Sequence, residues 1–159
     1  MFKVGEYLVY RKNVCQVKEI KEKEGVKYYQ LVPIDDDSLK IEIPVDNKDN
    51  VLRKLISREE VDTLIAEMPT IEVIDCSDRM IELEYRNLLS SGNKEDIIKV
   101  IKTAYLRNKA RLENKKKISE KDSNYLEKAE KLLYSEFSVV LNLSIEATRE
   151  YILNKVEAV

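Results

Sequence analysis

The hydrophobic period changes at Ser57, and this constrains the fold more than any other feature of the sequence. Before that point apolar residues recur every second position or in short β-branched runs. After it they recur at spacings of three and four. A chain with both periods in separate blocks builds a sheet and then a helical layer, an α+β arrangement.

The first block reads as five short strands. Tyr7-Leu8-Val9-Tyr10 is aromatic and β-branched, and Val14 to Ile20 follows a polar break. Lys21 to Gly25 predicts a hairpin turn, Gly25 supplying the positive φ, and Val26 to Val32 returns. Asp35-Asp36-Asp37-Ser38 predicts the next turn; its adjacent carboxylates lack the spacing of a calcium loop and read as solvated. Leu39, Ile41 and Ile43 alternate with Lys40 and Glu42, the signature of a half-buried strand that Pro44 ends. Val51 to Ile56 adds a fifth strand. Five such strands in under 60 residues predict a small SH3-like or Tudor-like β module.

The second block predicts an all-α bundle of about five helices. Ser57 and Glu60 form a capping box for a helix to about Glu67, stopping before Pro69. Thr70 to Cys76 reads as a linker. Ser77 is the expected cap of a helix carrying Met80, Leu83 and Leu88 and ending at Gly92. Asn93 caps a third, with Ile97, Val100, Ile101, Ala104 and Tyr105 on one face. Ser119 caps a fourth, with Leu126, Ala129, Leu133, Phe137 and Leu141. Ser144 caps a fifth, with Ile145, Ile152 and Val156. Helices this short hold only by packing together. The expected division is a β-rich module over residues 1–66 and a helical module over 67–159.

Composition then narrows function. There is no histidine, which removes the commonest general base and metal ligand. The cysteines, Cys15 and Cys76, form no metal-binding pair. The three glycines are too far apart to cradle phosphate. No metal, cofactor or enzymatic activity is expected. Nor is a signal peptide or a membrane-spanning segment, and the expected location is cytoplasmic. Net charge is −2, so contact with nucleic acid needs a local patch. One exists: residues 94–117 hold nine Lys or Arg against three acids, ending in Lys115-Lys116-Lys117. Cations at a helix C-terminus are favourable in any case, so the run also reads as an ordinary solvated helix end.

Several segments resemble the CarD/CdnL proteins in order along nearly the whole chain. Phe2-Lys3-Val4-Gly5-Glu6 with the strand to Tyr10 is similar to the family's opening. Tyr28-Tyr29-Gln30-Leu31, Ile43-Pro44-Val45-Asp46-Asn47 and Val51-Leu52-Arg53 resemble its later strands. Ser77-Asp78-Arg79, Leu89 to Gly92, Ile118-Ser119-Glu120 and Lys128-Ala129 resemble its helical half. The resemblance implies a transcription regulator whose N-terminal module, shared with transcription-repair coupling factor, binds the β subunit of bacterial RNA polymerase. It implies a helical module that acts on promoter DNA, and a monomer or a swapped dimer.

An open edge strand can pair with a partner's strand. Lys40 and Glu42, with Lys21 and Lys23 in the adjacent hairpin, are the candidate polymerase surface, and Arg53 matches a family arginine. The family's tryptophan wedge falls at Cys76, and its two arginines read Asp78-Arg79. The stretch after Ser119 where the family is basic reads Lys121-Asp122-Ser123-Asn124-Tyr125. Cys76, Arg79, Lys115, Lys116 and Lys117 are therefore the candidate DNA contacts, with weak binding expected. The alternative is an adaptor that keeps the polymerase contact and makes little or no contact with DNA.

Overall fold

The structure is a computed structural model that describes residues 1–157, with side chains through Lys155. Its contacts divide it into two compact units, Met1–Ser57 and Arg58–Val159.

The first unit is one antiparallel sheet. Its strands are β1 (Tyr7–Tyr10), β2 (Asn13–Lys23), β3 (Val26–Pro33), β4 (Ile41–Pro44) and β5 (Leu52–Arg53), in the order β4-β3-β2-β1-β5. β2 runs further than expected, through Lys23, because the turn needs only Glu24 and Gly25. Both have positive φ (51° and 80°), as a two-residue hairpin turn that follows the sheet twist requires. The pairing slips between Val17 and Glu19, a bulge that returns Ile20 to the core face. Leu8, Cys15, Val17, Tyr29, Leu31 and Leu52 form that core, with Ile41 and Ile43 packed against it. Leu39 departs from the expected alternation: the strand begins at Ile41, and Leu39 lies exposed before it. The fifth strand is only Leu52–Arg53, not Val51 to Ile56.

The resembling motifs of this unit have structural jobs. Gly5 takes a φ of 93° in the entry turn, which a side chain would strain. The Lys3 amide donates to the Glu6 carboxylate at 2.9 Å, and the Phe2 amide to the Tyr29 hydroxyl at 2.9 Å. Asn47, at φ 52°, accepts from the Val51 and Leu52 amides and donates to the Leu52 carbonyl. One side chain thus shapes the β4–β5 connection and sets where β5 begins.

The second unit holds α1 (Arg58–Glu67), a 3-10 turn (Met68–Thr70), α2 (Ile81–Ser90), α3 (Lys94–Glu113), α4 (Glu120–Leu141) and α5 (Ile145–Glu157). The expected boundary at residue 66 groups α1 with the strands, whereas α1 makes its contacts with α4, α5 and the 3-10 turn. Asn93 caps α3 by accepting from the Glu95 and Asp96 amides, Ser119 caps α4 through the Asp122 amide, and Ser144 accepts from Ala147 at the start of α5.

Two expectations fail here. Ser77 does not cap α2: its carbonyl closes a turn with Met80, and the helix begins at Ile81 without a side-chain cap. The buried positions of α2 are therefore Ile81 and Tyr85, while Met80 and Leu83 are exposed. On α5, Ile152 is buried but Ile145 is exposed, because it sits in the first turn. The side chain of Val156 lies outside those described.

Candidate functional site

On the sheet, β4 is an outer strand. The Val45 amide donates to the Lys27 carbonyl at 3.0 Å, so the hydrogen-bonded pairs are Lys27/Val45, Tyr29/Ile43 and Leu31/Ile41. Glu42 and Pro44 fall between them, and their main-chain groups point away from β3. The open margin of β4 therefore offers the Glu42 N–H and C=O and the Pro44 C=O, but no Pro44 donor.

Side chains frame that margin. Lys23 reaches across β3 to Glu42, with Nζ 3.0 and 3.2 Å from the two carboxylate oxygens. That hydrogen bond and the lysine's charge hold the Glu42 carboxyl below its ordinary pKa. Lys21 lies 3.8 Å from Glu19 on the same face, and Lys40 is exposed just before β4. Lys23 and Glu42 thus meet, whereas Lys21 lies on the same face of the central strand β2 and Lys40 lies at the opposite end of β4 from the hairpin turn beside Lys23.

Arg53 is not among them. It sits on β5, the opposite outer strand, facing Val9. Sequence reasoning missed Tyr28, which lies in register between Lys21 and Pro44 and is half-buried. The signal was present, because adjacent tyrosines in a strand must place one ring on each face; Tyr29 takes the core.

In the helical unit, the α1–α2 connection is laid along α3. Buried Lys102 donates through Nζ to the carbonyls of Met68, Pro69 and Ile71 at 2.7–3.1 Å. The Thr103 hydroxyl accepts the Ile74 amide at 3.0 Å. One turn on, Arg107 Nη1 donates to Asp78 at 2.9 Å while its Nε donates to buried Asp122 at 3.1 Å. Asp122 also accepts from the Tyr85 hydroxyl at 2.8 Å. Burial, and then this bond, push the Tyr85 phenol well above its ordinary pKa.

Cys76 is half-buried, with Sγ 3.4 Å from the Ser77 carbonyl, and Arg79 is exposed in the turn before α2. Lys115, Lys116 and Lys117 are exposed in the connection from α3 to α4. From Arg107 to Lys115 is eight residues, about 12 Å of helix rise. The two groups of candidates are therefore near one end of α3 but not in one cluster.

The basic count from residues 94 to 117 overstates what is available. Lys94 pairs with buried Glu136 at 3.3 Å, Lys102 is spent on carbonyls, and Arg107 is held by two aspartates. What remains exposed is the α3–α4 tip: Lys109, Arg111 and the three lysines, flanked by exposed Leu112 and Ile118. The tip is itself ordered. The Lys116 amide donates to the Arg111 carbonyl at 2.8 Å and the Lys115 amide to the Leu112 carbonyl at 3.0 Å, a Schellman stop with lysine in the left-handed position.

Among the described residues no group of carboxylates and thiols could hold a metal ion, and no helix is long and apolar enough to cross a membrane. Compared with known families, residues 2–56 match the CarD-like/TRCF RID domain and residues 61–153 match the CarD C-terminal domain. Comparison with curated proteins gives no match.

Proposed function

The chain belongs to the CarD family of transcription-related, RNA polymerase-interacting proteins, and from that membership we propose that it binds the β subunit of bacterial RNA polymerase through the open margin of β4 and modulates promoter opening through its helical module. It acts as a regulatory binding protein and not as an enzyme. The observation that carries the polymerase half is the outward main chain of Glu42, with the Lys23 ammonium on its carboxylate and Lys40 exposed just before the strand. An extended partner strand would gain main-chain bonds there, and the lysines would select its charge. The sheet unit, Met1–Ser57, carries this contact.

For the DNA half, the exposed lysines of the α3–α4 tip position the module against phosphates without reading sequence. The adaptor reading keeps its own support. Cys76 is small and half-buried, Asp78 carries the wrong sign, and three of nine cations are used internally.

The test uses the intact chain and the isolated β-subunit lobe. Lys23→Glu and Lys40→Glu should each weaken binding by about three- to tenfold, because charges at an interface rim act mainly on association. Thermal stability should stay within ~0.5 kcal/mol, since both are exposed. Lys23→Glu combined with Glu42→Lys restores the ion pair with its charges exchanged and should leave the partner mismatched. Unchanged affinity in both single variants moves the contact off this edge. Salt-dependent binding to forked promoter DNA then separates regulator from adaptor.

A further inference from the structure

Arg107 has two unlike sides. Its Nε side is fixed by Asp122, which is 1% exposed, through a bond made 15 residues apart in the chain. Its Nη1 side reaches the surface and is covered by Asp78, whose side chain is 84% exposed and lies in the irregular turn before α2. The inner bond is firm because breaking it leaves a buried carboxylate short of a partner. The outer one is a surface pair of the kind that contributes little and yields readily to competition. A guanidinium held on its Nε side, with Nη1 bonded only to an exposed carboxylate, is pre-organised for an oxyanion. A single exposed carboxylate occupies that place.

We propose that Arg107 is an anion site for a phosphate oxyanion, and that Asp78 is its built-in competitor. Asp78 occupies the outward Nη1 donor, and a phosphate must displace it to bind. Arg79 follows Asp78 in the same exposed turn, whereas Arg111, one helical turn beyond Arg107, donates through Nε to the Lys117 carbonyl at 3.1 Å. This deepens the DNA half of the proposed function and rests on it for the source of the phosphate. It also assigns Asp78 a specific action: it masks one donor, as distinct from repelling phosphates at a distance.

Asp78→Asn removes the competing charge with little change in shape. In the intact protein it should raise affinity for a forked promoter duplex about tenfold and steepen the dependence of log K on log salt by about 0.9, the signature of one added phosphate contact. Asp78→Asn with Arg107→Lys is the deciding variant. Lysine can hold Asp122 but cannot also present a second fixed donor outward, so the gain should vanish while the melting temperature shows that the bundle remains folded.

Sodium sulfate is the second probe, read by NMR at the Arg107 side-chain N–H groups. It should shift them in Asp78→Asn at concentrations that leave wild type unchanged. If the double variant keeps the full DNA gain, Asp78 acts only by repulsion and the site is overturned. The absence of a sulfate shift at Arg107 in Asp78→Asn overturns it too. A sulfate shift without a DNA gain upholds the anion site and removes nucleic acid as its occupant, while the contact of the α3–α4 tip lysines is judged separately by the salt dependence of wild-type binding.

Discussion

Lys115→Gly should make this protein more stable and, if the α3–α4 tip contacts phosphate, a worse binder. Lys115 ends α3 at φ 58°, a left-handed conformation that costs an L-residue roughly 1–2 kcal/mol and glycine almost nothing. Two opposing effects reduce the gain. Glycine loses roughly 0.5–1 kcal/mol more backbone entropy on folding. Lysine near a helix C-terminus also contributes a few tenths of a kcal/mol or more, which moderate salt screens. The net is about 0.5 kcal/mol in favour of glycine at 0.2 M salt. For a unit of about 100 residues this raises the melting temperature by about 2–4 °C.

The assay is thermal unfolding by circular dichroism, with Lys115→Asn alongside, because Asn142 ends α4 in the same conformation (φ 56°) and shows that asparagine suits it. On forked DNA, either change should lower the salt slope by about 0.9. A lower melting temperature for Lys115→Gly refutes the strain argument. A higher one with an unchanged salt slope leaves the strain argument standing and removes Lys115 from the phosphate contact.

Two further outcomes follow from buried hydroxyl and thiol groups. The Tyr134 hydroxyl is buried without a hydrogen-bond partner among the described residues, so Tyr134→Phe should be neutral or stabilising by up to about 1 kcal/mol. Tyr85→Phe strips a donor from buried Asp122 and should cost roughly 1–3 kcal/mol; urea unfolding of both ranks them, and the reverse order contradicts the hydrogen-bond assignment. Burial, with a smaller contribution from the Asp35 charge, pushes the Cys15 thiol up to about 11. Its stabilising contribution is therefore whole below about pH 9, where the unfolded thiol begins to ionise, and is lost as pH rises towards 11. Stability that falls across this window in wild type but not in Cys15→Ala is the expected result, and parallel profiles would exclude Cys15 as the cause.

What the sequence alone determined is whatever local physics sets within a few residues. The change of period at Ser57 separated strands from helices, because side-chain direction repeats every two residues in one and every 3.6 in the other. Asn93, Ser119 and Ser144 were legible as caps because a short polar side chain reaches an amide two or three residues on. The turn at Gly25 was legible for the same local reason. The phase of α2 was misread because Ser77 offers the same local signal whether or not a helix starts there. Burial of Ile81 and Tyr85 against the rest of the bundle decided the matter.

Tertiary structure alone decided which charges remain available. Lys102, Arg107 and Lys94 look in the sequence like Lys115 or Lys116. Their partners lie 31–34 residues away for Lys102, 15 and 29 for Arg107, and on α4 for Lys94. No pattern within a helix turn encodes such a partner. The same holds for Arg53, which shares a face with Lys21 and Glu42 by parity but sits on the far margin because strand order placed it there. Periodicity is a property of neighbouring residues along the chain, whereas ion pairing and strand order depend on which distant segments the folded chain brings within a few ångströms.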